Sequence, residues 1–172
     1  MKFSELVKSR YSCRKFLTRA VEDEKLTAIL EAGRLAPTAK NVQPFKLWVF
    51  RSQDALDKIK SCTPFAWMKD VPVVIGVGGT AEGAFVRPSD NRNFEDVDAS
   101  IVATHIMLAV EAEGLGTTWV GFFDVNKVRE LFHETAGYDL VALFPVGYPA
   151  GDSAPSDRHT IRKSLAELVE YL

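Results

Sequence analysis

Arg10, Tyr11, Ser12, Cys13 and Arg14 put two guanidiniums, a phenol and a hydroxyl into one short stretch. A guanidinium is a planar fork of donors that matches the oxygens of a phosphate. A serine hydroxyl and neighbouring loop amides can complete such a cradle. A second basic group, Arg158, His159, Arg162 and Lys163, stands just before the apolar run that follows Ser164. Cationic side chains at a helix N-terminus oppose the macrodipole. A bound anion would reconcile them, because helix N-termini hold phosphates. From spacing alone, a solvated basic turn is the commoner reading of either group, since charged turns abound on protein surfaces.

Two further segments have the residue types of a ligand site. Pro37, Thr38, Ala39, Lys40, Asn41, Val42, Gln43 and Pro44 place carboxamides, which both donate and accept as a heterocycle edge requires, between two prolines. An ordinary helix-to-strand connection explains the same pattern. The run Gly114, Leu115, Gly116, Thr117, Thr118, Trp119, Val120, Gly121 and Phe122 has glycines where a ligand or another backbone could come close. Trp119 and Phe122 could flank an aromatic ligand, or simply pack in the core. No helix follows Gly116 directly, so this is not a dinucleotide fingerprint. The sequence shows no Ser-His-Asp order, paired carboxylates or metal-ligand spacing, so hard chemistry here would need a cofactor.

The elements that must position these groups follow from periodicity. A short helix is expected over Phe3 to Lys8 with Ser4 as its cap. A second opens at Glu22 or Asp23, buries Leu26, Ile29, Leu30 and Gly33, and is ended by Pro37. Phe45–Phe50 reads as a buried strand, Gln53–Cys62 as a helix and Val71–Val77 as a second strand. The stretch from Gly78 to Asn93, rich in Gly, Pro, Asp and Asn, reads as an irregular and mobile lid. Glu95–Glu113 is apolar on more than one side, as in a core or interface helix, with Gly114 as its stop. Thr117–Phe122 is expected as a third strand and Asp124–Phe132 as a helix capped by Asp124. Leu140–Tyr148 is expected as a fourth strand that bends or lies near an edge at Pro145. Ser164–Tyr171 is expected as the last helix. The class is α+β, with helices covering a mostly antiparallel sheet in one domain spanning residues 1–172.

Composition sets the outer limits. The chain has 172 residues, 47% of them hydrophobic, enough for a sizeable core. A net charge of −2 gives no general affinity for nucleic acid or anionic membranes. The two cysteines, Cys13 and Cys62, are far apart, and the histidines are scattered. With no signal-peptide pattern and no membrane-length apolar run, a reduced, cytoplasmic setting is expected, with neither nucleic acid nor membrane as partner.

Taken in order, these motifs resemble the FMN-dependent nitroreductase family along nearly the whole chain. The matching elements are Arg10 to Phe16, Ala36 to Pro44, Asp98 with Ala99, Gly114 to Gly121, Pro145 to Pro149, and Arg162 to Leu165. The resemblance implies a three-layer αβα sandwich that dimerises, with two FMN sites at the interface. Arg10, Tyr11 (main chain), Ser12 and Arg14 would then hold the ribityl phosphate and the pyrimidine side of the ring. Arg162 and Lys163 would reach the phosphate from the other end of the chain. Pro37, Thr38, Ala39 and Asn41 would come from the partner subunit, and Val120 and Gly121 would offer backbone groups near the flavin N5 and O4. The implied activity is oxidation of NADH or NADPH and reduction of nitroaromatic, quinone or flavin-type acceptors by ping-pong hydride transfer through N5, with no catalytic side chain. Flavin binding without turnover, as a sensor or carrier, and a specialised flavin reaction are the alternatives. Larger relatives carry a helical insertion and a C-terminal arm. Here residues 63–69 and 79–93 would stand for the insertion, leaving open which of Trp67, Lys69 or Arg87 faces the flavin. An arm is expected to be short or absent.

Overall fold

The computed structural model describes residues 2–172. Three strands, β1 (Phe45–Phe50), β2 (Val73–Gly79) and β5 (Asp139–Val146), form an antiparallel sheet in the order β1-β2-β5. A two-stranded ribbon pairs β3 (Val86–Arg87) with β4 (Arg92–Asn93). The helices are α1 (Phe3–Ser9), α2 (Asp23–Arg34), α3 (Gln53–Ser61), α4 (Glu95–Ala112), α5 (Val125–Leu131) and α6 (Leu165–Leu168).

The central strand β2 shows why the molecule has three layers. Its alternate residues Val73, Ile75 and Val77 pack with Ile29, Val102 and Ile106 from α2 and α4. Val74 points the other way, into a cluster with Leu56 and Ile59 of α3 and Val128 of α5. A strand apolar on both faces must be covered on both. β5 repeats the pattern, with Ala142, Phe144 and Val146 on the α2/α4 side and Leu143 opposite. A register shift at Val77/Gly78 keeps Leu140 on Leu143's side, because a bulge resets the alternation. The expected α+β sandwich with an antiparallel sheet is what the chain forms.

Helix α4 is the buried spine, with Val102, Ala103, Ile106 and Val110 fully enclosed. It ends in a Schellman motif: Gly114 adopts φ +71°, its N–H bonds Glu111 O, and Leu115 N–H bonds Val110 O.

Four expectations need correction. Lys2, not Ser4, is the N-cap of α1, and its N–H donates to the Glu5 carboxylate at 3.0 Å. The segment over Thr117–Phe122 makes only isolated bridges, Ser12 to Thr117, Gly116 to Gly147 and Val120 to Leu143. It passes between two neighbours and never runs along one. The Gly78–Asn93 stretch is not wholly irregular: Gly78 and Gly79 extend β2, and the β3–β4 ribbon is closed by Asn91 at φ +56°. The last helix is the single turn α6, because none of its side chains is buried and so short a helix gains nothing from packing. Among the described residues, no helix is long and apolar enough to cross a membrane.

Candidate active site

Residues 10–14 leave α1 extended and lie against the segment after α4. Ser12 bridges Thr117 in parallel, and Cys13 N–H donates to Thr117 O at 2.9 Å. Gly116 permits this approach: a Cβ there would stand 2.7 Å from Cys13 Sγ and 2.8 Å from its Cβ. The glycine is therefore explained by another stretch of the chain, not by a ligand. The next residues are fastened to the strip after β5, with Leu17 N–H donating to Tyr148 O and Ala150 N–H to Lys15 O. Ser153 grips the same stretch from behind. Tyr11 OH donates to Ser153 Oγ at 3.0 Å, and Cys13 Sγ lies 3.4 Å from that oxygen. Burial, the largest cause, raises the Tyr11 pKa above its ordinary value, so the phenol stays a donor.

This fastening delivers residues 156–162 beside Arg10. Arg10, Tyr11, Ser12, Arg14, Ser156, Arg158, His159 and Arg162 line one cavity of about 210 Å³. Among the described residues, none of its four arginines pairs with a carboxylate. Arg14 Nη1 donates to Ser12 O at 3.3 Å, and Arg162 Nη1 to Ile161 O at 2.6 Å. His159 Nε2 lies 3.1 Å from Lys8 O. The two basic groups at opposite ends of the sequence thus converge on one site with uncompensated positive charge, which suits a phosphate.

The remaining predicted residues lie elsewhere. Lys163 does not line the cavity. Val120 spends both its N–H and its C=O on Leu143, at 3.0 and 2.9 Å. Gly121 is exposed, and among the described residues no backbone hydrogen bond occupies its N–H. Beside it Phe122 is 72% exposed, edge-on to Phe65.

Pro37, Thr38, Ala39 and Asn41 form a separate feature that does not line this chain's own basic cavity, with Pro37 and Asn41 exposed and Thr38 and Ala39 half-buried. Lys40, Asn41 and Gln43 have φ of +52°, +55° and +58°. Left-handed backbone is strained for residues with a Cβ, and such strain gathers at functional sites. The turn is knit by Gln43 N–H donating to Thr38 Oγ1 at 3.0 Å and Gln43 Nε2 to Asn41 O at 3.2 Å. Ala39 N–H donates to Asp98 Oδ1 at 2.9 Å.

Ser153, Ser156 and Asp98 are in none of the sites expected from sequence, and Arg158 and His159 belong to the basic group expected to bind an anion but not to the residues expected to hold the cofactor. Ser153 carries no sequence signal. Asp98 carries one, as an acidic residue on a buried face of an apolar helix.

A helix-covered antiparallel sheet with a cationic cavity, its four arginines paired with no carboxylate among the described residues, defines the class as α+β. A family model described as the nitroreductase family matches residues 7–64 and 61–148. The solved structure of a nitroreductase family protein from Clostridium difficile 630 is 35% identical and superposes with a TM-score of 0.89, covering 99% of this chain and 98% of that one. A protein of Methanothermobacter thermautotrophicus, named "Putative NADH dehydrogenase/NAD(P)H nitroreductase", is 32% identical over 89% of this chain and 80% of its own length. A structure from Exiguobacterium sibiricum, solved in complex with FMN, shares the fold at a TM-score of 0.85 and 22% identity, covering 100% of this chain and 98% of that one. The chain belongs to the nitroreductase family.

Proposed function

We propose that this chain is an FMN-dependent NAD(P)H oxidoreductase, one domain over residues 1–172, acting as a homodimer with the flavin at the subunit interface. The observation that carries the reading is the cavity of about 210 Å³ where four arginines, without carboxylate partners among the described residues, meet Ser12. A phosphate ester carries about −1.5 to −2 at neutral pH, a charge this cradle can neutralise. The FMN bound to the Exiguobacterium neighbour and the NAD(P)H in the name of the Methanothermobacter relative support the same choice.

Bound FMN would supply hydride chemistry at N5, taking reducing equivalents from NADH or NADPH in one half-reaction and giving them to a nitroaromatic, quinone or flavin-type acceptor in the next. The residues of the chain then bind and orient. Arg10, Ser12, Arg14 and Arg162 hold the phosphate and place positive charge where a reduced ring needs it. Of the expected pair Val120 and Gly121, Gly121 is the one with an open N–H to donate. Thr38 and Asn41, on the strained turn, are offered to the partner's flavin. A dimer is supported by an apolar groove of about 410 Å³ between α1, α2 and α4, lined by Phe3, Leu6, Ala28, Ala32 and Leu108 among others. Leu165, Leu168 and Tyr171 are exposed as well.

Anaerobic addition of NADH and of NADPH to the FMN-loaded protein tests the activity. Bleaching of the flavin absorbance, restored by a quinone or nitroaromatic, is expected. A protein that takes up no FMN, or binds flavin that neither nicotinamide bleaches, contradicts it.

A further inference from the structure

We propose that Asp98 is a positioning residue: it clamps the Thr38–Gln43 turn from inside the fold and so sets how tightly that turn can engage a flavin. The proposal rests on the FMN reading above.

The case begins with an unusual placement. Asp98 lies in the first turn of α4 and is 1% exposed. Burying a carboxylate is costly unless its oxygens find donors. Oδ1 accepts the Ala39 N–H at 2.9 Å, while Oδ2 is buried with no partner among the described residues. A carboxylate so poorly repaid is a costly way to fill core space, where an apolar residue of like size would serve better. Its position suits an anion, because the N-terminal end of α4 favours negative charge.

The turn it holds needs holding. Three of its residues carry a Cβ in left-handed backbone. The turn's other hydrogen bonds are local, joining Asn41, Val42 and Gln43 to Thr38 and Ala39 and Phe45 to Gln43. Ala39 to Asp98, across 59 residues of sequence, is the one hydrogen bond from residues 38–43 to a distant element among the described residues. Lys40 adds only a contact over the Phe85 ring at 4.7 Å. Hydrogen bonds to charged groups are stronger than neutral ones. Asp98 therefore fastens at its base a turn whose outer residues, Asn41 among them, face solvent.

The experiment compares wild type, Asp98→Ala and Asp98→Asn. FMN affinity is read by quenching of flavin fluorescence, and affinity for inorganic phosphate by competition for the basic cavity. Loss of one charge-assisted bond predicts FMN binding weakened by about tenfold or more in Asp98→Ala. Phosphate affinity stays unchanged, since the cradle lies elsewhere. Asp98→Asn keeps a carbonyl acceptor for Ala39 and recovers most of the FMN affinity. A fall in both affinities, or no recovery in Asp98→Asn, overturns the positioning role. If Asp98→Ala fails to fold, Ala39→Pro removes the donor instead. Proline is tolerated at the opening of a helical turn, and Thr38 before it is already extended at ψ 159°. Ala39→Pro must then show the same selective loss, and unchanged FMN binding in it overturns the proposal. Wild type that binds no FMN brings down the functional reading and this inference with it. Wild type that binds FMN as Asp98→Ala does brings down this inference alone.

Discussion

The basic cradle and the Thr38–Gln43 turn solve the same problem in opposite ways. The cradle recruits side-chain charge from distant stretches of one chain, and its five-residue core from Arg10 to Arg14 has no residue at positive φ. The turn recruits backbone shape, with three left-handed residues fixed from beneath by one buried carboxylate. Side-chain charge tolerates small displacements, because attraction falls slowly with distance. Backbone shape does not. The difference teaches that substitutions in the cradle should weaken FMN and phosphate together, while those under the turn should weaken FMN and spare phosphate.

The largest effect belongs to the cradle. Replacing both Arg10 and Arg14 by Ala removes two guanidiniums that pair with no carboxylate among the described residues. Each charge-assisted contact contributes about 1.5–3 kcal/mol, so Arg14→Ala alone should weaken FMN about tenfold or more and the double variant further still. Isothermal titration at two salt concentrations checks this, and the salt dependence should shrink with each lost charge. FMN binding that is unaltered in Arg14→Ala breaks the comparison at its charged side.

Next comes Gly116→Ala. The added Cβ would overlap Cys13, so the extended cradle stretch must shift. Overpacking of this sort costs about 1–3 kcal/mol, visible as a lowered midpoint in urea, together with weaker FMN binding. A variant with wild-type stability and affinity shows that the cradle does not need this close approach.

Strong acid should loosen the strip that fastens the cradle. Tyr148 OH donates to Glu22 Oε2 at 2.6 Å, and the strip containing Tyr148 is the one that fastens residues 15–17. That bond is the largest cause holding the Glu22 pKa down, to about 2, with its own backbone bond and Arg19 adding to it. A depressed folded pKa contributes stability that is fully present above the unfolded value near 4.5 and is lost as pH falls through about 2. Tyr148→Phe should move the Glu22 titration back toward 4.5, seen in carboxylate NMR shifts. An unmoved titration excludes the bond as the cause.

The smallest effect belongs to the turn. Left-handed backbone costs a residue with a Cβ about 1–2 kcal/mol, and glycine returns roughly 0.5–1 of that as added chain entropy. Lys40→Gly should therefore leave stability within about 1 kcal/mol of wild type, on the stabilising side. A clear destabilisation shows that Lys40 contributes through its contact with Phe85 instead.

How far the sequence reached depended on which kind of information each region uses. β1 was legible to the residue, Phe45–Phe50, because a compact apolar run between turn residues has few other solutions. So was the N-cap of α5, where Asp124 Oδ1 accepts the Lys127 N–H at 3.0 Å. The arginines were legible as charge from spacing, and their meeting only through the family resemblance, which brings Arg162 but not Lys163 to the cavity. The strand expected at Thr117 failed because its apolar alternation serves two partners in turn. The last helix is shorter than expected because Leu165, Leu168 and Tyr171 have a helical pattern but stay largely exposed. The left-handed turn was invisible as conformation: Lys40 and Gln43 are not residues that announce positive φ, and Asp98 lies far along the chain from Ala39.

The proposal that cradle and turn meet at one flavin from different subunits has a direct test. A mixed dimer is formed from Arg14→Ala subunits and subunits carrying Asp98→Ala, and its FMN stoichiometry and affinity are measured. One site then has both defects and the other has neither. The account predicts half of the wild-type FMN content at wild-type affinity in the mixed dimer, although neither parent homodimer binds FMN with that affinity. A mixed dimer with only weakened sites contradicts it.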